Sequence, residues 1–295
     1  MSSAEDKPFR PHPLLKNGHT MTIAAVFLRR HFVLSHAEER CFQVDSDSRI
    51  LGHCHWQKGK DRDTPVLVLV HGLEGSSASN YMLGIAEKAG QRGFHVIRLN
   101  QRNCGGTELL TPTLYNSGMS SDYRAVFEEL SSGDGFSRIF FAGYSMGGNL
   151  VTKMAGEFGD SVPKALRGVA AICPSINLAA CADELERRNN YFYQRHFVAG
   201  LMSRYARKVE LFPQKYSPNG FGRIRTVRQF DDAITAQDDP FVPFEATRAS
   251  GVEKNPAIVF RAPKHGGHCS FISEESGSER FWAEQRVVEF CAGLD

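Results

Sequence analysis

Short apolar runs bounded by turn residues alternate along this chain with stretches whose apolar positions recur every three or four residues. VLVLV at 66–70 is the clearest run, and its unbroken apolar character suits a strand buried on both faces. FHVIRL at 94–99, RIFFAG at 138–143 and LRGVAAIC at 166–173 repeat the pattern, and PAIVFRA at 256–262 is a later strand of the same kind. Between them, 79–92, 120–131, 147–158 and 279–292 carry apolar residues spaced for one buried helical face. Strands alternating with helices predict an α/β fold, a mostly parallel central sheet covered by helices on both faces. CFQVDSDSRILGHCHWQ at 41–57 alternates around a polar turn and predicts an antiparallel hairpin at the sheet edge. Residues 178–212 combine helical spacing with many arginines and aromatics, directly after a strand that ends at Pro174. They predict a helical cap.

The 295 residues, 41% apolar and 23% charged, suffice for one full core, so 1–295 reads as one domain with 176–235 as the inserted cap. A formal charge of +2 provides no field to recruit nucleic acid. Arginines 187, 188, 195, 204 and 207, interleaved with acidic and apolar residues, read as a solvated face. The seven cysteines show neither a CxxC pair nor metal-site spacing, which favours a reducing compartment. The polar, proline-containing N-terminus lacks the apolar core of a signal peptide, and no run reaches membrane-spanning length. A cytoplasmic protein without a transmembrane segment is expected. Oligomeric state is not legible.

Chemistry enters at Gly143-Tyr144-Ser145-Met146-Gly147. GxSxG is weak alone, but here it directly follows the strand RIFFA and precedes the helix GNLVTKMAGEF, the strand-turn-helix setting of a nucleophile elbow. A serine hydroxyl needs a base within hydrogen-bond reach and an acid to orient that base. His268, in KHGGHCSF late in the chain, is the candidate base, with His265 as its competitor. Asp238-Asp239-Pro240 supplies the acid. Asp238 is assigned that role, and Asp239 is left to turn or cap bonding. An oxyanion needs fixed donors, for which the backbone N–H of Met146 and of Leu73, in HGLEG after the first parallel strand, are suited. His71, just before that loop, is expected to brace it.

These residues resemble a branch of the α/β-hydrolase superfamily, comprising bacterial esterases, vertebrate phospholipid-cleaving hydrolases and yeast medium-chain acyl ester esterases or acyltransferases. The resemblance runs through Asn17-Gly18-His19, HGLEGSSAS at 71–79, NQRNCGG at 100–106, GYSMGGN at 143–149, ERRNNYFYQRHF, FDDAITA, DDPFVP and GGHCSF, in that order. It implies an α/β-hydrolase fold with the cap after the sixth strand, and a Ser145, Asp238, His268 triad. Three positions depart from the pattern. Asn103 and Ser270 stand where the family has glycine, and FDDAITA runs into DDPFVP where the family places a helical segment and a strand between the two motifs. Either that later strand has been lost, or the numbering joins segments across residues not retained.

The expected reaction is hydrolysis of carboxylic (acyl) esters through an acyl-enzyme, with no metal or organic cofactor. The expected substrate is a small-molecule acyl ester, lipids included, with Tyr191, Phe192, Tyr193, Phe197 and Met202 either lining an acyl pocket or packing the cap onto the core. Alternatives are acyl transfer to an alcohol, phospholipid acyl-ester cleavage, or an impaired binding protein whose acid was displaced with the missing strand.

Overall fold

The computed structural model describes residues 7–59, 61–218, 226–227 and 259–294. After helix α1 (Gly18–Phe27), the chain makes the hairpin β1 (Glu38–Asp45) and β2 (Ser48–His55). Alternating units follow: β3 (Val66–Val70), α2 (Asn80–Gln91), β4 (His95–Leu99), α3 (Ser121–Glu128), β5 (Ile139–Tyr144), α4 (Met146–Glu157) and β6 (Leu166–Ile172). Helices α5 (Leu178–Leu185) and α6 (Tyr191–Leu211) come next, and α7 (Trp282–Gly293) closes the described chain. The sheet order is β1-β2-β4-β3-β5-β6. β3 to β6 pair in parallel and the leading hairpin joins β4 antiparallel.

The apolar runs form strands because both of their faces are covered. Every residue of β3, β4 and β5 is buried. Alternate side chains go to opposite layers. Leu67, Leu69, Phe140 and Ala142 pack against Met82, Ile85 and Ala89 of α2 and Val287, Val288 and Cys291 of α7. Val66, Val68, Val70 and Phe141 pack against Tyr123, Val126 and Phe127 of α3 and Leu150, Val151 and Met154 of α4. Burying each leucine stabilises by roughly 1.5–3 kcal/mol. On the first side Glu284 of α7 binds Arg30 bidentately at 2.6 and 2.8 Å and also meets Lys88 of α2 at 2.5 Å, pinning the N-terminal segment to two helices.

Of the expected late strand PAIVFRA, 256–258 lie outside the described residues, and the described remainder departs from expectation. Val259–Ala262 is irregular, and Val259 is largely exposed. β6 borders the described sheet. The predicted helix at 120–131 ends early, passing into a π turn at Glu129–Gly133 where Ser131, Ser132 and Gly133 weaken helical propensity. FDDAITA, DDPFVP, Asp238 and Asp239 lie outside the described residues.

Candidate functional site

Ser145 stands between the last residue of β5 and the first of α4, with φ 61° and ψ −128°. For a residue bearing a Cβ this is a costly conformation, sustained only where the surroundings impose it. They do so by close packing. A Cβ on Gly143 would overlap the Gly147 carbonyl, and one on Gly147 would overlap the carbonyls of Val70 and His71. The Ser145 N–H donates to Ile172 O at 2.9 Å, tying the turn to β6. Met146 opens α4, where the first N–H groups have no intrahelical acceptor.

The loop after β3 lies directly against the serine. A Cβ on Gly72 would stand 2.7 Å from Ser145 Cβ and 2.9 Å from its Oγ, so only glycine permits this approach. Leu73 follows immediately. His71 braces the loop, as its position predicts: its Nδ1 lies 2.7 Å from Gly72 O, and its Nε2 accepts from Gln101 N–H at 3.0 Å. This pattern fixes the neutral tautomer with the proton on Nδ1. Burial pushes the His71 pKa down to about 4, with the Gly72 hydrogen bond opposing. Gly75 N–H also donates to Gly72 O at 3.1 Å, and Gly72 N–H to Tyr81 Oη at 3.1 Å.

The residue after Leu73 carries a second constraint that the sequence did not suggest. Glu74 has φ 56°, and its N–H donates to Tyr115 Oη at 3.3 Å. Its Oε1 accepts from Tyr115 Oη and from Arg204 Nε, each at 2.7 Å. Arg204 also donates to Asn103 O. Asn103 adopts φ 66°, the left-handed region in which asparagine substitutes acceptably for glycine. Gly200, one helical turn before Arg204, leaves room for the Glu74 carboxylate. Arg204 is thus a half-buried strut between α6 and the loop of Leu73. Arg187 and Arg207 do remain solvated. Burial opposes the Arg204 charge, but the Cys104 sulfur and the Glu74 carboxylate outweigh it and raise the pKa.

His268 arrives on a loop of tight turns, with positive φ at Gly267, Cys269 and Phe271. Its N–H donates to Thr22 Oγ1 at 2.8 Å, and Thr22 Oγ1 in turn donates to Gly18 O at 2.8 Å. Asn17 Oδ1 caps the same helix by accepting from the N–H of His19 and Thr20. The Asn17-Gly18-His19 motif thereby builds the platform for the histidine loop, a contact across 246 positions. Ser270 needs no glycine conformation; its hydroxyl donates to His268 O at 3.0 Å, and the strained angles fall on its neighbours. Cys269 Sγ lies 3.8 Å from Ile172 O, the carbonyl that also receives Ser145 N–H. The end of β6 therefore brings the histidine loop and the serine turn to one point. Ser145, Gly72-Leu73, Met146 and the His268 loop are gathered at the C-terminal ends of the parallel strands, while Asp238 and Asp239 lie outside the described residues.

On α6, Tyr193, Phe197 and Val198 pack with Leu73 against the core, whereas Tyr191 and Phe192 face solvent. Val227 N–H donates to Gln194 Oε1 at 3.2 Å beneath them. All seven cysteines are free thiols.

Residues 65–219 match a family model described as alpha/beta hydrolase fold. YheT of Escherichia coli (strain K12) is 26% identical over 326 residues, covering 98% of this chain and 93% of that protein. Phospholipase ABHD3 of Mus musculus is 24% identical over 255 residues, 75% of this chain and 60% of its own length. Among solved structures, the Pyrococcus furiosus esterase Pf2001 superposes with a TM-score of 0.58 at 15% identity, over 90% of this chain and 99% of that one. That likeness is one of fold.

Proposed function

Since the chain belongs to the α/β-hydrolase family, within which its relatives include esterases and hydrolases, we propose that it cleaves carboxylic esters with Ser145 as nucleophile. The observation that carries this reading is the Ser145 backbone at φ 61° with the Gly72 backbone packed against its hydroxyl. Strain of that kind persists where geometry matters more than local comfort.

In this mechanism Ser145 Oγ attacks the acyl carbon while His268 takes its proton. The tetrahedral oxyanion receives hydrogen bonds from the N–H groups of Leu73 and Met146. Collapse expels the alcohol, protonated by His268, and leaves an acyl-enzyme. Water, deprotonated by His268, then releases the acid and restores the serine. Asp238 holds the imidazole in the required tautomer and stabilises its charged form. An alcohol in place of water would complete acyl transfer instead. Residues 176–235 act as the cap, with α5 and α6 as its described part, and the substrates are small acyl esters and lipid esters. The free thiols fit a reducing, cytoplasmic setting.

Hydrolysis of p-nitrophenyl esters of graded chain length tests this. The wild type should turn over at least one member of the series, and Ser145→Ala should lose a thousandfold or more, the order expected when a triad member is removed. Undiminished hydrolysis by Ser145→Ala would overturn the assignment.

A further inference from the structure

Helix α1, GHTMTIAAVF, is apolar nearly all round, a composition suited to a helix covered on every side. One side is covered. Gly18, Met21 and Thr22 are buried, and Met21 packs with Ile272 and Phe281. At 100° per residue, Ile23, Val26 and Phe27 lie together on the opposite side. They are 47%, 69% and 77% exposed, and Leu14 and Val33 on the flanking segments are each 83% exposed.

The surrounding charge points to what would cover them. Residues 7–37 contain five Lys or Arg and four His, with no Asp or Glu. Arg30 is taken up by Glu284, Lys7 lies 3.6 Å from Glu279 and Arg10 lies 3.8 Å from Glu274. Lys16 and Arg29 are exposed at the two ends of the helix, and His31 is exposed just beyond. A second copy of the same face would set like charge against like. An anionic phospholipid surface supplies both missing partners, acyl chains for the apolar face and headgroup phosphates for its basic ends.

The patch adjoins the site. Thr22, on the buried side of the same helix, holds the His268 backbone. His19 stacks on Tyr193 of α6, with rings 5.7 Å apart and 9° from parallel, so the exposed Tyr191 and Phe192 prolong the apolar rim onto the cap.

We propose that α1 and its basic flanks dock on an anionic phospholipid bilayer, presenting the entrance of the site to the lipid surface. The delivery of ester from that surface rests on the hydrolase reading; the docking itself does not. Binding is therefore measured apart from turnover.

The full chain is co-sedimented with vesicles of phosphatidylcholine alone and of equal parts phosphatidylcholine and phosphatidylglycerol. The wild type should partition onto the mixed vesicles, more weakly onto phosphatidylcholine, and less at high salt. The double variant Ile23→Ser/Phe27→Ser should lose about tenfold or more in partitioning. Lys16→Glu/Arg29→Glu should lose about fivefold or more per charge, and only on the anionic vesicles. Hydrolysis of a short water-soluble ester should be unchanged in both. Absence of wild-type binding, or equal binding by the variants, would overturn the proposal. So would a concentration-dependent dimer, seen by sedimentation equilibrium, that the apolar substitutions abolish. Vesicle binding without hydrolysis of any soluble ester would leave the docking surface standing and sink the catalytic reading instead.

Discussion

Replacing Arg204 by methionine keeps most of the side-chain volume on α6 and removes the cation that Glu74 faces. The Glu74 and Arg204 side chains are only 9% and 15% exposed, so the carboxylate would remain in a poorly solvated place with the Tyr115 hydroxyl still donating to it. Breaking a fully buried pair costs about 3–5 kcal/mol. The residual exposure and the Tyr115 hydroxyl reduce this to roughly 2–3 kcal/mol, a fall in Tm of about 3–5 °C. Removing both charges, in Arg204→Met/Glu74→Gln, should return about half or more of the loss, because no orphaned charge remains. The same change should reach catalysis. Glu74 adjoins Leu73, and if the strut fixes the aim of the Leu73 N–H, kcat should fall about tenfold with little change in KM, below the hundredfold or greater loss of a whole oxyanion donor. Urea denaturation and steady-state ester kinetics on the two singles and the double provide the cycle. Additive stabilities, or an unaltered kcat in a destabilised Arg204→Met, would refute the reasoning.

Gly72→Ala places a methyl 2.7 Å from Ser145 Cβ and 2.9 Å from its hydroxyl, so ester turnover should fall about a hundredfold or more while circular dichroism shows the fold retained. Full activity would show that the loop has freedom to retreat. His71, with its folded pKa lowered to about 4 from 6.5, binds its proton less readily folded than unfolded. Its contribution is fully present above pH 6.5 and lost as pH falls toward 4, amounting to about 3 kcal/mol. The stability difference between wild type and His71→Asn, measured by urea denaturation across that window, should shrink toward low pH; a constant difference would contradict the assignment. Thr22→Val removes the acceptor for His268 N–H, and kcat should drop about tenfold with the pH–rate profile displaced. An unchanged profile would reduce Thr22 to helix packing.

Much of this was legible in the chain. VLVLV and IFFA are short, unbroken apolar runs bounded by turn residues, which suits strands buried on both faces, and GYSMG was readable because its glycines answer a steric demand set within a few residues. What escaped depends on distant partners. Arg204 looked like its solvated neighbours, and only the approach of Glu74, 130 positions earlier, makes it a strut. Thr22 lies in an ordinary helix, and its tie to His268 is a product of tertiary packing. PAIVFRA carries strand composition, but its described part, Val259–Ala262, is irregular, since strand formation also depends on tertiary neighbours that composition does not specify. The fused FDDAITA and DDPFVP segment was visible as a departure, and the placement of Asp238 falls outside the described residues.

The central claim is that Ser145 is an activated nucleophile. The most direct test is incubation of the folded protein with a fluorophosphonate, followed by intact-mass measurement and peptide mapping. A single adduct on the peptide containing Ser145, abolished in Ser145→Ala and strongly slowed in His268→Ala, is the predicted result. A folded wild type that takes up no adduct, or one labelled at another residue, would contradict it.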